Sequence, residues 1–189
     1  SVVIGVVGFS LAILLGTKLR VVNDRLYAVE DAICRIVGAL RDMEYTNEDV
    51  MRNVKSWARE FEKVLTNPDK TVINNLKNET EKLEKVLNKE NVGGPNSAGF
   101  HRDVEYVLHR ALAKIPRAFE NFLKYMTMAY TCMVIIAIPG FTGFVSTVLV
   151  TFVLGGTYVI IDDMDSPLDF GSNSFINARL DSIKQFNAL

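Results

Sequence analysis

The sequence predicts an all-α integral membrane protein built from an N-terminal span, an antiparallel helical bundle and a C-terminal transmembrane hairpin. Three observations lead there. Positions 126–161 hold 36 consecutive residues without one charged side chain, well beyond the roughly 18 apolar residues that mark one membrane span. Positions 1–16 form a second uncharged run. Between the two, apolar residues recur three and four apart, the period of a helix with one buried face.

Whole-chain composition hides this segregation. The 189 residues are 49% apolar and 23% charged, with 21 basic against 22 acidic side chains, which fits one or two domains and excludes a disordered or collagen-like chain. A net charge of −1 removes the electrostatic reason to expect nucleic acid as a partner. Positions 18–125 hold 19 of the 21 bases and 17 of the 22 acids, so the soluble part lies there. Cys34 and Cys132 are too few and too far apart for a disulfide framework or a zinc site, and each reads as a buried thiol in an apolar helical pattern.

Ser1–Gly16 is about 24 Å long as a helix, short of the roughly 30 Å hydrocarbon core. Because the chain begins at Ser, the run is expected to be a span whose first residues precede this sequence. A signal peptide would need a basic n-region and a small-residue cleavage site, and neither is visible. Leu19, Val22, Leu26, Val29, Ile33, Ile36, Leu40 and Met43 then form a heptad-like, coiled-coil-type seam on one long helix continuing from the span. Thr46, with Asp49 following, is the expected N-cap of a second helix with the stripe Val50, Val54, Trp57, Phe61 and Val64 or Leu65, ended by Asn67-Pro68.

A third helix over 69–88 carries Ile73, Leu76, Leu83 and Leu87, with Thr80 at a core position. The stretch 91–98, with two glycines and a proline, reads as a flexible loop. A fourth helix follows on Val104, Leu108, Leu112 and Ile115, with a kink expected at Pro116. Pro139-Gly140 divides the uncharged run into spans over 119–138 and 141–161, and an amphipathic tail helix is expected from about Ser174, with Ile176, Leu180, Ile183 and Phe186 on one side. The resulting divisions are 1–17, an N-terminal span; 18–118, a soluble four-helix region; 119–161, the hairpin; and 162–189, an acidic turn and tail helix. A hairpin returns both ends to one side of the membrane. Lys18, Arg20, Arg117 and Lys124 beside the spans make that the cytoplasmic or inner side, for bundle and tail alike.

Catalytic chemistry is not indicated. There is no phosphate-binding glycine loop and no nucleophile elbow, and no cofactor or metal site is assigned. His101 and His109 stand about two turns apart, too far to share a metal, and read as helix-surface residues. Glu79, Glu81 and Glu84 interleave with Lys82 and Lys85 as a solvated face. Asn78-Glu79-Thr80 is a glycosylation sequon by pattern, but on a helix it reads as coincidence. Asp162, Asp163, Asp165 and Asp169 lack the spacing, glycine and distant glutamate of an EF-hand, so a juxtamembrane turn whose carboxylates cap backbone groups is preferred to a calcium site. Gly143, Thr147, Thr151 and Gly155 recur every four residues as a small face for close approach by another helix of the chain or of a second subunit.

An N-terminal span running into a helical region, a closing hairpin, and Asp165-Ser166-Pro167-Leu168-Asp169-Phe170-Gly171 after it resemble the bestrophin-like membrane proteins of unknown function. The family pattern places an aromatic directly after the proline; here Leu168 stands there and Phe170 is displaced. The resemblance implies a further span upstream and, through the bestrophins proper, an oligomeric anion channel with an acidic calcium clasp. Two functions follow. The first is a non-enzymatic structural membrane protein that scaffolds a large assembly, such as a virion shell or membrane complex, through its bundle. The alternative is an oligomeric, bestrophin-like anion channel. Either has the lipid bilayer and other protein subunits, like or unlike, as partners, and calcium enters only through the family's clasp.

Overall fold

A computed structural model describes residues 2–44, 47–67, 69–90, 95–112, 117–165, 168 and 176–188. Among the described residues there are seven helices: α1 (Val2–Glu44), α2 (Glu48–Thr66), α3 (Lys70–Lys89), α4 (Pro95–Leu112), α5 (Arg117–Ala137), α6 (Gly140–Met164) and α7 (Asp181–Ala188). No strand occurs among the described residues. The chain divides into two compact units, Ser1–Arg25 with Lys114–Asp165, and Leu26–Ala113 with Ser166–Leu189. The long helix α1 contributes to both.

In the first unit, α5 and α6 pack as a hairpin. Gly140 at the corner has φ +80°, a left-handed conformation open to glycine at little cost. One turn later Gly143 is buried, and a Cβ there would collide with the Ile138 carbonyl, so the first turn of α6 closes over the end of α5 only with glycine in place. At Gly8, α1 lies against the Tyr130 ring of α5, where a Cβ would again collide. Phe141, Phe144, Phe152 and Ile136 are exposed, and only 6% of the most apolar 18-residue window of α6 is buried. A soluble core helix would be covered by protein; α1 and α6 are long and apolar enough to cross a membrane. The third expected span, α5, carries Arg117, Glu120 and Lys124 in its first half, and its uncharged stretch begins only at Tyr125. Hydroxyl groups in this unit donate along their own helices, Thr127 to Leu123 O at 2.9 Å and Thr147 to Gly143 O at 2.8 Å, which satisfies them without water.

The second unit is organised around Trp57, which is fully buried. Its ring stacks on Phe61 of α2 and tilts against Phe100 of α4, both at 4.9 Å between centroids. Its Nε1–H donates to Thr80 Oγ1 of α3 at 2.8 Å, while the Thr80 hydroxyl donates to Leu76 O. Trp57 meets Thr80 across one junction and Glu84 meets His101 across the next. In each pair the partners are nearly equidistant from the junction, so α2, α3 and α4 alternate in direction. Helix α7 packs on α2, where Asn187 Nδ2 donates to Ala58 O and Glu62 Oε2.

Several sequence expectations shift by a turn or a face. The α1 seam is buried at every expected position but Leu19; Lys18, four residues before Val22 and three after the buried Leu15, takes that place. The α2 cap is Asn47, whose side chain accepts from the Asp49 N–H at 3.1 Å; Thr46 lies outside the described residues. The expected loop over 91–98 is shorter, because Pro95 opens α4. Proline suits a first helical position, where its missing N–H has no intrahelical acceptor to lose. Pro116 lies outside the described residues. The tail helix starts at Asp181 rather than near Ser174, which leaves Ile176 and Leu180 before it. Cys34 and Cys132 are both exposed rather than buried, Cys34 because it stands one position off the seam residue Ile33.

Arg35 of α1 donates to Asp103 of α4 at 2.8 Å and also pairs with Asp31. The guanidinium holds the Asp103 carboxyl below its ordinary range, so the pair's contribution is complete above pH about 4 and is lost as pH falls through the lowered value. Arg35 is half-exposed, which limits the pair to about 1 kcal/mol. Asp103→Asn is expected to lower stability by that amount at neutral pH and to flatten the acid limb of the unfolding curve. Thr80→Val removes the Trp57 acceptor from the core and is expected to cost about 1–3 kcal/mol, read in denaturant unfolding by the fluorescence of the sole tryptophan.

Candidate functional site

Charged side chains converge within the first unit where α1 passes the end of α6. On α1, Lys18, Val22 and Arg25 are four and three residues apart and share one face. On α6, Tyr158, Ile161, Asp162 and the capping Asp165 repeat that spacing. Arg25 Nη1 donates to Asp165 Oδ1 at 3.2 Å, with the two side chains 11% and 4% exposed. Lys18 is buried as well. It lines a cavity of about 10 Å³ together with Leu123, Tyr158, Ile161, Asp162 and Asp165, room for about one water molecule. Lys18 and Arg25 of α1 thus lie where Asp165 and, at its exposed rim, Asp162 of α6 are found.

The acidic residues singled out in the sequence are thus dispersed. Asp165 turns inward to Arg25, Asp162 is exposed, Asp163 is half-buried, and Asp169 lies outside the described residues. No group of three potential metal ligands comes together among the described residues. The small face of α6 is likewise divided. Gly143 is used by the hairpin corner, and Thr147 is half-buried and bonded to its own helix. Thr151 is exposed, and among the described residues nothing outside the adjoining stretch of α6 comes within 4 Å of a Cβ built at Gly155. His101 pairs with Glu84 at 2.7 Å, and His109 is exposed.

The Lys18, Arg25 and Asp165 arrangement is not seen by reading each segment alone. Its signal is positional. Lys18 and Arg25 are seven residues apart, and Lys18 falls on the α1 apolar row extended back to Leu15. A base at such a position must find a carboxylate, since an unpaired buried charge is costly.

Asp165→Ala leaves the Arg25 charge buried beside an apolar surface, and a loss of about 3–5 kcal/mol is expected. The double variant Arg25→Met with Asp165→Leu is expected to recover most of it. Thermal melts of the detergent-solubilised protein check both.

No family model matches the chain, and no curated protein matches it in sequence. Among solved structures, a point variant of a bacterial bestrophin homologue from Klebsiella pneumoniae is similar, with a TM-score of 0.59 and 14% identity over 97% of this chain and 83% of that one. At this identity the correspondence is one of fold, and it spans both units, α1 to α7. The bestrophin resemblance read from the sequence thus extends to the architecture: the chain has a bestrophin-like all-helical fold.

Proposed function

We propose that the protein is an oligomeric, bestrophin-like membrane channel that passes anions and catalyses no reaction. The observation that carries this reading is the fold correspondence over 97% of the chain, which brings in the channel activity known for bestrophins. Two features support it. Helices α1 and α6 are long and apolar enough to cross a membrane, and the face of α6 at Gly155 is left open by the described side chains, which suits the approach of a second copy. The scaffold reading shares the membrane anchorage, but no specific observation among the described residues favours it. In the channel reading the soluble bundle and tail lie on the inner side, as the bases flanking the spans favour.

Native mass measurement and anion flux from liposomes containing the purified protein test this together. The expected result is a closed homo-oligomer of fixed stoichiometry with chloride or iodide flux. Gly155→Leu is expected to keep the single-chain fold, since space is open there, and to shift the population toward smaller species. A monomer, or an ordered oligomer without flux, would overturn the channel reading; a heterogeneous lattice would return the scaffold.

A further inference from the structure

The second unit contains a cavity of about 190 Å³ between α1, α3 and α4. Met43 of α1, Leu83 and Leu87 of α3 and the Phe100 ring of α4 form its apolar side, and Asn88 of α3 adds an uncharged amide to the lining. The space adjoins Thr80, which stands at a seam position where a leucine would project further into the core. The Thr80 hydroxyl is already committed, donating to Leu76 O and accepting from Trp57, so that corner makes no polar demand on a ligand. The charged groups lining the cavity are Glu84 and His101, joined at 2.7 Å. Both are half-exposed, so they stand at its mouth.

Size and charge together define an occupant. A buried apolar cavity of about 150 Å³ accepts a benzene ring, so this volume holds a single ring with a short arm. The carboxylate at the mouth already takes a nitrogen donor from His101 through Oε1, and a carboxylate has acceptor sites for more than one such donor. An anionic ligand would face that carboxylate across a short distance. A cation would be attracted by it and, near the wall, by the face of Phe100.

We propose that this cavity binds a small arylalkyl ammonium ion, with its ring against Leu83, Leu87, Met43 and Phe100 and its ammonium group on Glu84. The assignment is independent of whether the protein conducts ions. Phenethylamine is a suitable probe, with 2-phenylethanol and phenylacetate as its neutral and anionic counterparts. The molecule carries its own reporter: Trp57 is the sole tryptophan, its ring lies 4.9 Å from Phe100 and its Nε1 is bonded to Thr80.

In the full-length protein in detergent, phenethylamine is expected to change Trp57 fluorescence saturably, with a dissociation constant on the order of millimolar, as suits about nine non-hydrogen atoms. The alcohol is expected to bind at least fivefold more weakly and phenylacetate more weakly still. Glu84→Gln, at a half-exposed position that leaves the fold intact, is expected to reduce the amine's affinity to that of the alcohol. Leu87→Phe fills the cavity and is expected to abolish the response while circular dichroism stays unchanged. Absence of saturation, equal binding of amine and alcohol, an unchanged affinity in Glu84→Gln, or an unchanged response in a folded Leu87→Phe protein would each overturn the proposal.

Discussion

Along α1 a single row of side chains is buried from Leu11 through Val22 and Ile33 to Met43, and among the described residues side chains from the other helices reach this one. Tyr130 of α5 closes on Gly8, Asp165 at the end of α6 pairs with Arg25, and Asp103 of α4 pairs with Arg35. Lys55 of α2 reaches Glu44 at 3.3 Å, Ser182 of α7 lies beside Cys34, and Met43 shares a cavity wall with Leu83 of α3. The same row works through different physics in the two units. Around Trp57, removal of apolar surface from water stabilises each contact, by about 1.5–3 kcal/mol for a fully buried large side chain. Among lipid tails that driving force vanishes, and helices associate through close packing, which explains why glycines mark the contacts at Gly8 and Gly143.

Charge placement follows from the same constraint. Lys18 occupies the apolar row itself and Arg25 flanks it, so neither can be left unpaired without a desolvation cost of several kcal/mol. Asp165 at the end of α6 pairs with Arg25, and Lys18 lines a small cavity beside the same carboxylate. Arg35, off the row and half-exposed, is under no such compulsion. Its pairs with Asp31 and Asp103 connect α1 to α4 at modest energetic weight.

For a membrane protein, side chains left uncovered are as informative as those packed. The exposed phenylalanines of α6 and the exposed Val2, Val3 and Phe9 of α1 describe surfaces suited to lipid or to another copy. The covered core of the second unit resembles that of a soluble bundle, with one exception at Thr80, where a small hydroxylated residue provides an acceptor for Trp57 and leaves a cavity beside it. One substitution in an otherwise leucine-rich seam thus sets both a buried hydrogen bond and a ligand-sized space.

The sequence by itself determined the helices. Uncharged runs and three-four apolar spacing report a local period and a local solvent preference, and both are properties of consecutive residues. Hence the α1 seam, the Trp57 stripe, the break at Asn67 and the corner at Pro139-Gly140 were all legible, while caps and ends moved by a few residues because capping depends on which side chain can reach a free N–H. Only the tertiary structure decided which face meets which. Nothing near Arg25 or Asp165 in the sequence names the other until α1 and the end of α6 are adjacent; Glu84 looks solvated until His101 arrives from α4. Those pairings join residues 17 to 140 positions apart, and no periodicity within one helix encodes the identity of a partner on another.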